Sequence, residues 1–427
     1  MSAVILDALL LVVSLPVAAV TAYLFALTAL SRRAQPRAHG VPSRRFDIIV
    51  PAHDEEVGVA STVANLLAID YPAALRRVLV VADNCSDATA ERAREAGATV
   101  IERNDRTRLG KGYALAAAFE RCDADGLADA VVVVDADTVA SSNLLRALAT
   151  QLDAGASAIQ VHYGVRNPEA SWRTRLMAIA FCLFHKVRSL GRERLGVSAG
   201  LRGNGMCFTV ELLRKVPHEA YSEVEDVEYG IRLGLAGFRV RYCDDAAVYG
   251  EMVSGERASR SQRRRWEDGR RMMRRTWAPV LLREAVRRRD PVIVDLFVDV
   301  MMPPLSAIAF WSGCGLLLSA GASALAGHTM YAVYSWALSA TFLAAYILRG
   351  VWLAGLGLRG VTTLLCAPLY LVWKVALPLL RGTERRGWVR TAREPQPARR
   401  ARAISPQLQA VVPPRLNRGP PDVSATS

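Results

Sequence analysis

From residue 8 to residue 30 the chain carries no charged side chain, and "LLLVVSLPVAAVTAYLFALTAL" is almost wholly apolar. A run of this length crosses a bilayer as a helix, so a fold lying wholly in water is the first possibility to fall. A cleaved signal peptide is the competing reading. No strongly basic segment precedes the run, whereas "SRRAQPRAHGVPSRR" follows it, which favours a retained anchor with its C-terminal side in the cytoplasm. Two further candidate spans lie at 304–326 and 331–349. A last apolar stretch, 361–380, contains Pro368, Lys374 and Pro378. It reads as a crossing, re-entrant or interfacial segment, with both ends inside by the charge rule.

The formal net charge of +14 over 427 residues first suggests nucleic acid or a membrane surface. Its distribution decides. Thirteen arginines against Glu267, Asp268 and Glu284 give +10 between Arg257 and Arg289, and ten arginines against three acids give +7 from Arg381 onward. The remainder carries −3 (14 − 17), so the cations flank apolar segments, as at cytoplasmic membrane edges. Nucleic acid is therefore not the partner expected. The seven cysteines are scattered without a CxxC pair, which argues against a disulfide framework or zinc site and suits a reducing compartment. The Pro- and Arg-rich stretch 391–427 reads as a disordered basic tail.

Between these segments the pattern alternates. "FDIIVP" (46–51), "RVLVVAD" (77–83), "ATVIER" and "AVVVVDAD" (130–137) read as strands. Helices are expected up to Leu67, over "SDATAERAREAG" with Ser86 as N-cap, and over "GYALAAAFERC". Short buried strands alternating with helices predict an α/β class with a mainly parallel, Rossmann-like sheet. Ligands bind beyond the carboxyl ends of such strands, and acids cluster there: Asp54 to Glu56, Asp83, and Asp135 with Asp137. The last two share one side if the strand runs through them, and two carboxylates there suit Mg2+ or Mn2+. A solvated Asp-rich turn is the plainer alternative for a lone DxD, but a four-valine run before it favours the metal.

Downstream, Glu223, Glu225, Asp226 and Glu228 crowd the start of a helix that continues "YGIRLGLAG" and stops at Gly237. Acids in a first turn complement the helix dipole, worth under about 1 kcal/mol. Four within six positions repel one another beyond what capping requires, and crowding raises a carboxylate's pKa as a general base needs.

"PAHDEE", "VADNCSDAT", "GKGYAL", "DAD", "VED…RLGLAGFRV" and "QRRRW" stand here in the order seen in membrane-embedded family-2 glycosyltransferases. The chain resembles this family, whose members include cellulose, hyaluronan, chitin and poly-N-acetylglucosamine synthases, over about residues 46–270 and in its membrane layout. The resemblance implies a GT-A fold that moves a sugar, with inversion, from a nucleotide-sugar (usually a UDP-sugar) to an acceptor hydroxyl. Carried over by position, Pro51, Ala52, His53, Glu55 and Asp83 would line the uridine pocket, and Lys111 would approach the diphosphate. Asp135 and Asp137 would hold nucleotide and metal, Mg2+ or Mn2+. Asp226 would be the base, with Glu225 orienting. Gln262, Arg265 and Trp266 match the QxxRW signature. In one departure, Ala82 precedes Asp83, and Asn84 and Cys85 follow it.

On a helix Gln262, Arg265, Trp266 and Gly269 share one face. Arginine's planar fork suits diphosphate, and tryptophan's flat face suits an acceptor sugar. A pure lipid anchor would explain the arginines but neither Gln262 nor Trp266. The organisation expected is therefore an anchor (1–31), a catalytic domain (46–255), QxxRW and interface helices (256–301), a membrane region (302–380) and the tail. The catalytic domain belongs on the cytoplasmic face of a multi-pass inner-membrane protein. The partners expected are a nucleotide-sugar donor, a glycan or lipid-linked acceptor, membrane lipids and polysaccharide-export subunits. A processive polysaccharide synthase leads. A transferase making one addition to a lipid or polyprenyl carrier comes second, and an inactive membrane scaffold, which would have lost the acids at 83, 135, 137 and 226, comes last.

Overall fold

The structure, a computed structural model, describes residues 2–33, 39–252 and 256–367, and side chains for these except residue 2 and 256–266. The long first helix, α1 (Ser2–Leu30), leads into an α/β unit. There β1 (Phe46–Ala52), α2 (Val59–Leu67), β2 (Arg76–Asp83), α3 (Thr89–Glu95), β3 (Thr99–Arg103), α4 (Lys111–Asp125) and β4 (Ala130–Val133) alternate. The order continues through β5 (Thr138–Ala140), α5 (Leu144–Asp153), β6 (Ala158–Val165), α6 (Trp172–Cys182) and α7 (Arg188–Leu195). It closes with β7 (Met206–Thr209), α8 (Val210–Lys215), α9 (Glu225–Leu235) and β8 (Val240–Gly250). The eight strands form one sheet in the order β3-β2-β1-β4-β7-β6-β8-β5.

The expected α/β class stands. Strands β3, β2, β1 and β4 are mutually parallel, and β7 then pairs antiparallel with β4. Strands β1, β2 and β4 are buried on both faces, which is why they read as apolar runs, whereas edge strand β3 is partly exposed. Ile48 and Val50 point into a core with Val63 and Leu66 of α2, while Ile49 points into a second core with Leu115 and Phe119 of α4.

Two local expectations need correction. Strand β4 ends at Val133, and Ala136 and Asp137 lie in a turn, so strand alternation does not set the directions of Asp135 and Asp137. Ser86 does not cap α3, whose N-cap is Ala88. The Ser86 amide and hydroxyl instead donate to the Asp54 carboxylate, at 2.6 and 3.2 Å.

Beyond the sheet come α10 (Glu256–Arg288), α11 (Pro291–Met301), α12 (Leu305–Ala326), α13 (Tyr331–Leu353) and α14 (Gly357–Leu364). Among the described residues, three helices are long and apolar enough to cross a membrane: residues 3–30 of α1, α12 and α13. Helices α1 and α13 run parallel and are tied at both ends. Asp7 accepts from the amides of Tyr331 and Ala332 at 3.0 and 2.8 Å, capping α13, and Arg349 donates to the Ser31 carbonyl at 2.6 Å. About 24 residues separate the two ties, roughly 36 Å of helix at 1.5 Å per residue, enough for a bilayer core. Of the apolar stretch 361–380, only the part up to residue 367 is described, and the tail lies outside the described residues.

Candidate active site

The site forms where the sheet changes direction. Because β7 runs antiparallel to β4, its first residue lies at the carboxyl end of β4: Met206 pairs with Val133, and the Gly205 amide donates to the Val133 carbonyl at 2.9 Å. The loop before β7, "AGLRGNG", therefore arrives beside Asp135. Gly200, Gly203 and Gly205 have φ of +77°, +77° and +69°, a left-handed backbone that glycine adopts without strain. Asn204 fixes the junction, accepting from the Asp135 amide at 3.2 Å and donating to Thr138 at 2.8 Å. Gln160, fully buried on β6, holds the loop at both ends of its amide. Its NH2 donates to the Asn204 carbonyl at 2.7 Å, and its oxygen accepts from the Arg202 amide at 2.8 Å.

Lys111 is the hub. Opening α4, its ammonium donates to Asp135 at 2.5 Å and to the Gly203 carbonyl at 2.6 Å, and stands 3.9 Å from Glu225. Burial works against that charge, yet Asp135, Glu225 and Asp226 outweigh it and hold the Lys111 pKa above the ordinary lysine value. Glu225 and Asp226 open α9, whose N-cap Val224 supplies no side-chain bond. A Cβ on Gly203 would sit 3.5 Å from Asp226 Oδ2, so the loop backbone lies against that carboxylate. Glu225 is buried while Asp226 is partly open. Burial pushes the Glu225 carboxyl up to about 7, against Lys111 and with help from Asp226. Burial raises Asp226 too, opposed by the Val227 amide, Lys111 and Arg202.

The sequence-expected residues after β1 and β2 form the adjoining wall. Pro51 and Ala52 end β1, and His53 Nδ1 lies 2.7 Å from the Asp83 carbonyl. Asp54 and Asn84 adopt left-handed φ of +54° and +52°, uncommon for residues other than glycine. The Glu55 amide donates to Thr89 at 2.6 Å. Asp83 is buried, paired at 2.6 Å with Arg103 of β3. The Arg103 guanidinium lies 5.7 Å from the Tyr113 ring centre, and Tyr113 stacks on Tyr221 at 4.3 Å. Gln262, Arg265 and Trp266 lie on α10, but their side chains are outside the described ones.

Asp135 and Asp137 flank buried Ala136, and both carboxyls remain partly open. Hard carboxylate oxygens beside an open cleft fit Mg2+ or Mn2+, which keeps positions for water and phosphate oxygens. Among the described residues the three-ligand group that converges within 4.8 Å is instead Asp54, Cys85 and Asp87. A thiol suits neither ion, so the Asp135–Asp137 pair fits this chemistry better. Sequence reasoning missed Arg103, Gln160, Arg202, Gly203 and Asn204. The glycine spacing of 200–205 signalled an unusual backbone. A lone buried glutamine on a strand carries no such signal.

A family model described as "Glycosyltransferase like family 2" matches residues 42–269. The chain belongs to this family. It is therefore a family-2 glycosyltransferase, with the fold class its sequence predicts. It is 25% identical over 234 residues to a "Probable glycosyltransferase YdaM" of Bacillus subtilis (strain 168), covering 53% of this chain and 55% of that protein. Similarity of 28% over 239 residues extends to a "Beta-monoglucosyldiacylglycerol synthase" of Synechocystis sp. (strain ATCC 27184 / PCC 6803 / Kazusa), covering 54% and 48%. The chain thus spans about half the length of the curated relatives it matches. A solved structure, the mannosyltransferase PcManGT of Pyrobaculum calidifontis in complex with GDP-Man and Mn2+, is similar over 81% of this chain and 98% of that one. Its identity is 17% and its TM-score 0.49.

Proposed function

We propose that this glycosyltransferase moves a hexosyl or N-acetylhexosaminyl group from a UDP-sugar to an acceptor hydroxyl at the cytoplasmic membrane face, with inversion. The observation that carries this reading is the single cluster of Asp135, Lys111, Glu225, Asp226 and the Gly203 carbonyl at the carboxyl end of β4. The walls at 51–55 and Asp83 suit the nucleoside, and Asp135 with Asp137 would hold Mg2+ or Mn2+. That ion would supply positive charge against the leaving diphosphate. Asp226, partly open beside the loop, takes the acceptor proton. As the acceptor oxygen bonds to the anomeric carbon, the bond from that carbon to the phosphate oxygen breaks and UDP leaves with its electron pair. Buried Glu225 keeps Lys111 oriented toward Asp135. Gln262, Arg265 and Trp266 are assigned the diphosphate and acceptor sugar on sequence alone.

Extension of a polysaccharide is the reading the ordered motifs favour, with export subunits as partners. A single addition to a lipid acceptor is the second, favoured by the similarity to a glucosyldiacylglycerol synthase. The deciding test incubates the protein in detergent with each UDP-sugar and Mg2+ or Mn2+, then sizes the product. A long polymer supports the first reading and one sugar per lipid the second. No consumption of any UDP-sugar defeats both.

A further inference from the structure

The mechanism uses neither Phe184 nor the arginines around it. Residues Leu183–Val187 form a π-turn between α6 and α7, an irregularity found frequently at functional sites. It presents Phe184 to three guanidinium groups, those of Arg202, Arg188 and Arg270, at 4.2, 4.7 and 5.0 Å from the ring centre. Each arrives from a different element: the glycine loop, α7 and α10. Arg192 lies alongside, ion-paired to Asp295 at 3.2 Å and Asp299 at 2.9 Å, while Arg188 also pairs with Asp299. Four cations thus meet two carboxylates. Glu267, one turn from Arg270 on α10, is exposed.

Arg188 and Arg202 are 4% and 7% exposed, and the Nε of each is buried without a hydrogen-bond partner. A buried unpaired donor costs about 1–3 kcal/mol, more when charged, and Arg202 has no carboxylate ion pair among the described residues, so the cluster holds cationic charge that a further anion would neutralise. Burial, with Arg192 and Arg188 nearby, lowers Arg202 to about 10, against the pull of Asp299 and Asp226. The location says what the anion belongs to. Arg202 directly precedes Gly203, which lies against Asp226, and exposed Arg270 stands at the outer side of the cluster. On the other side Arg192 reaches Tyr23 of α1 at 3.2 Å, at the membrane helices.

We infer that Arg188, Arg202 and Arg270 around Phe184 form an anion subsite for the acceptor, whose attacking hydroxyl is borne beside a phosphodiester in a lipid headgroup. This rests on the transferase reading above. A phosphodiester in the subsite directs a neighbouring hydroxyl toward Asp226, which takes its proton as the new glycosidic bond forms and UDP departs. Guanidinium forks suit the phosphate oxygens, and the acyl chains lie along the membrane helices.

The test uses the full chain in dodecyl maltoside and titrates dihexanoyl phosphatidylglycerol, dihexanoylglycerol and free glycerol phosphate by calorimetry. Phosphatidylglycerol should bind at least ~10-fold more tightly than either of the others. Arg270→Gln should remove most of that preference. Arg283→Gln takes one exposed charge from the same helix outside the cluster and should preserve it. Equal binding of dihexanoylglycerol overturns the anion subsite, and equal binding of glycerol phosphate overturns its lipid source. Loss of preference in Arg283→Gln as large as in Arg270→Gln would mean diffuse surface charge and also overturns it. UDP binding with Mn2+ is measured on the same sample. Its absence brings down the transferase reading, whereas UDP binding without a phosphatidylglycerol preference brings down this inference alone.

Discussion

Asp226 and Glu225 are adjacent in sequence and differ in burial, and the proposed function divides their work accordingly. An acceptor hydroxyl has a pKa far above neutrality, and a positioned base contributes roughly 10²–10⁴-fold. Asp226→Asn keeps shape and removes basicity, so UDP affinity should hold while transfer falls at least about a hundredfold. Glu225→Gln should cost less. Steady-state transfer with UDP titration checks both, and retained turnover in Asp226→Asn with loss in Glu225→Gln would move the base to Glu225. Glu225 also predicts a pH dependence of stability. Its carboxyl rises from the ordinary 4.5 to about 7, so the folded chain binds its proton more tightly than the unfolded one. Its stabilising contribution is therefore full below about 4.5 and is lost as pH climbs toward 7. His162, His185 and His218, all lowered by desolvation, act in the opposite sense at acid pH. The difference between wild type and Glu225→Gln isolates the glutamate. Melting temperatures at pH 5 and pH 7.5 should show the variant gaining on the wild type at the higher pH.

Among elements, the junction of α1, α7 and α11 joins the long apolar helices to the α/β unit. Tyr23 of α1 donates to Asp295 of α11 at 2.5 Å and accepts from Arg192 of α7 at 3.2 Å. A Cβ on Gly191 would come 2.7 Å from the Leu27 carbonyl, so α1 and α7 touch backbone to backbone. Tyr23→Phe leaves the packing and the Arg192–Asp295 ion pair but takes one hydrogen bond from each of these buried partners, so it should cost about 1–3 kcal/mol. Melting in detergent measures it, and an unchanged Tm would mean that the hydroxyl adds nothing. These elements differ in how far sequence revealed them. Strands β1 and β2 were legible because burial on both sheet faces leaves valine- and isoleucine-rich runs. The end of β4 was not. Val134 continues the apolar run and its amide still donates to the Ile49 carbonyl of β1, but β4 has ended at Val133, and the Asp135 amide beyond it turns to Asn204 of a distant loop. Ser86 misled for the same reason: its amide and hydroxyl donate to a carboxylate 32 positions away, whereas an N-cap hydroxyl would accept from the first amides of α3.

For the whole molecule, the metal reading makes a global prediction. EDTA should abolish transfer and Mg2+ or Mn2+ restore it, and Asp137→Asn should remove activity while leaving the melting curve intact. Full turnover in EDTA would refute it. Taken alone, the sequence determined the apolar helices, the α/β class, the family and the acids at the strand ends. Each of these is written in local composition or in order along the chain, because strand, helix and membrane span have periods and lengths that a single segment must satisfy. Only tertiary structure decided that Lys111 sits between Asp135, Glu225 and the Gly203 carbonyl, that Asp83 is paired with Arg103, and that three arginines gather at Phe184. Those groups lie tens of residues apart and meet because β7 turns back antiparallel to β4 and α1 packs on α7. A charge's partner is fixed by such crossings, and no period or spacing along the chain encodes it.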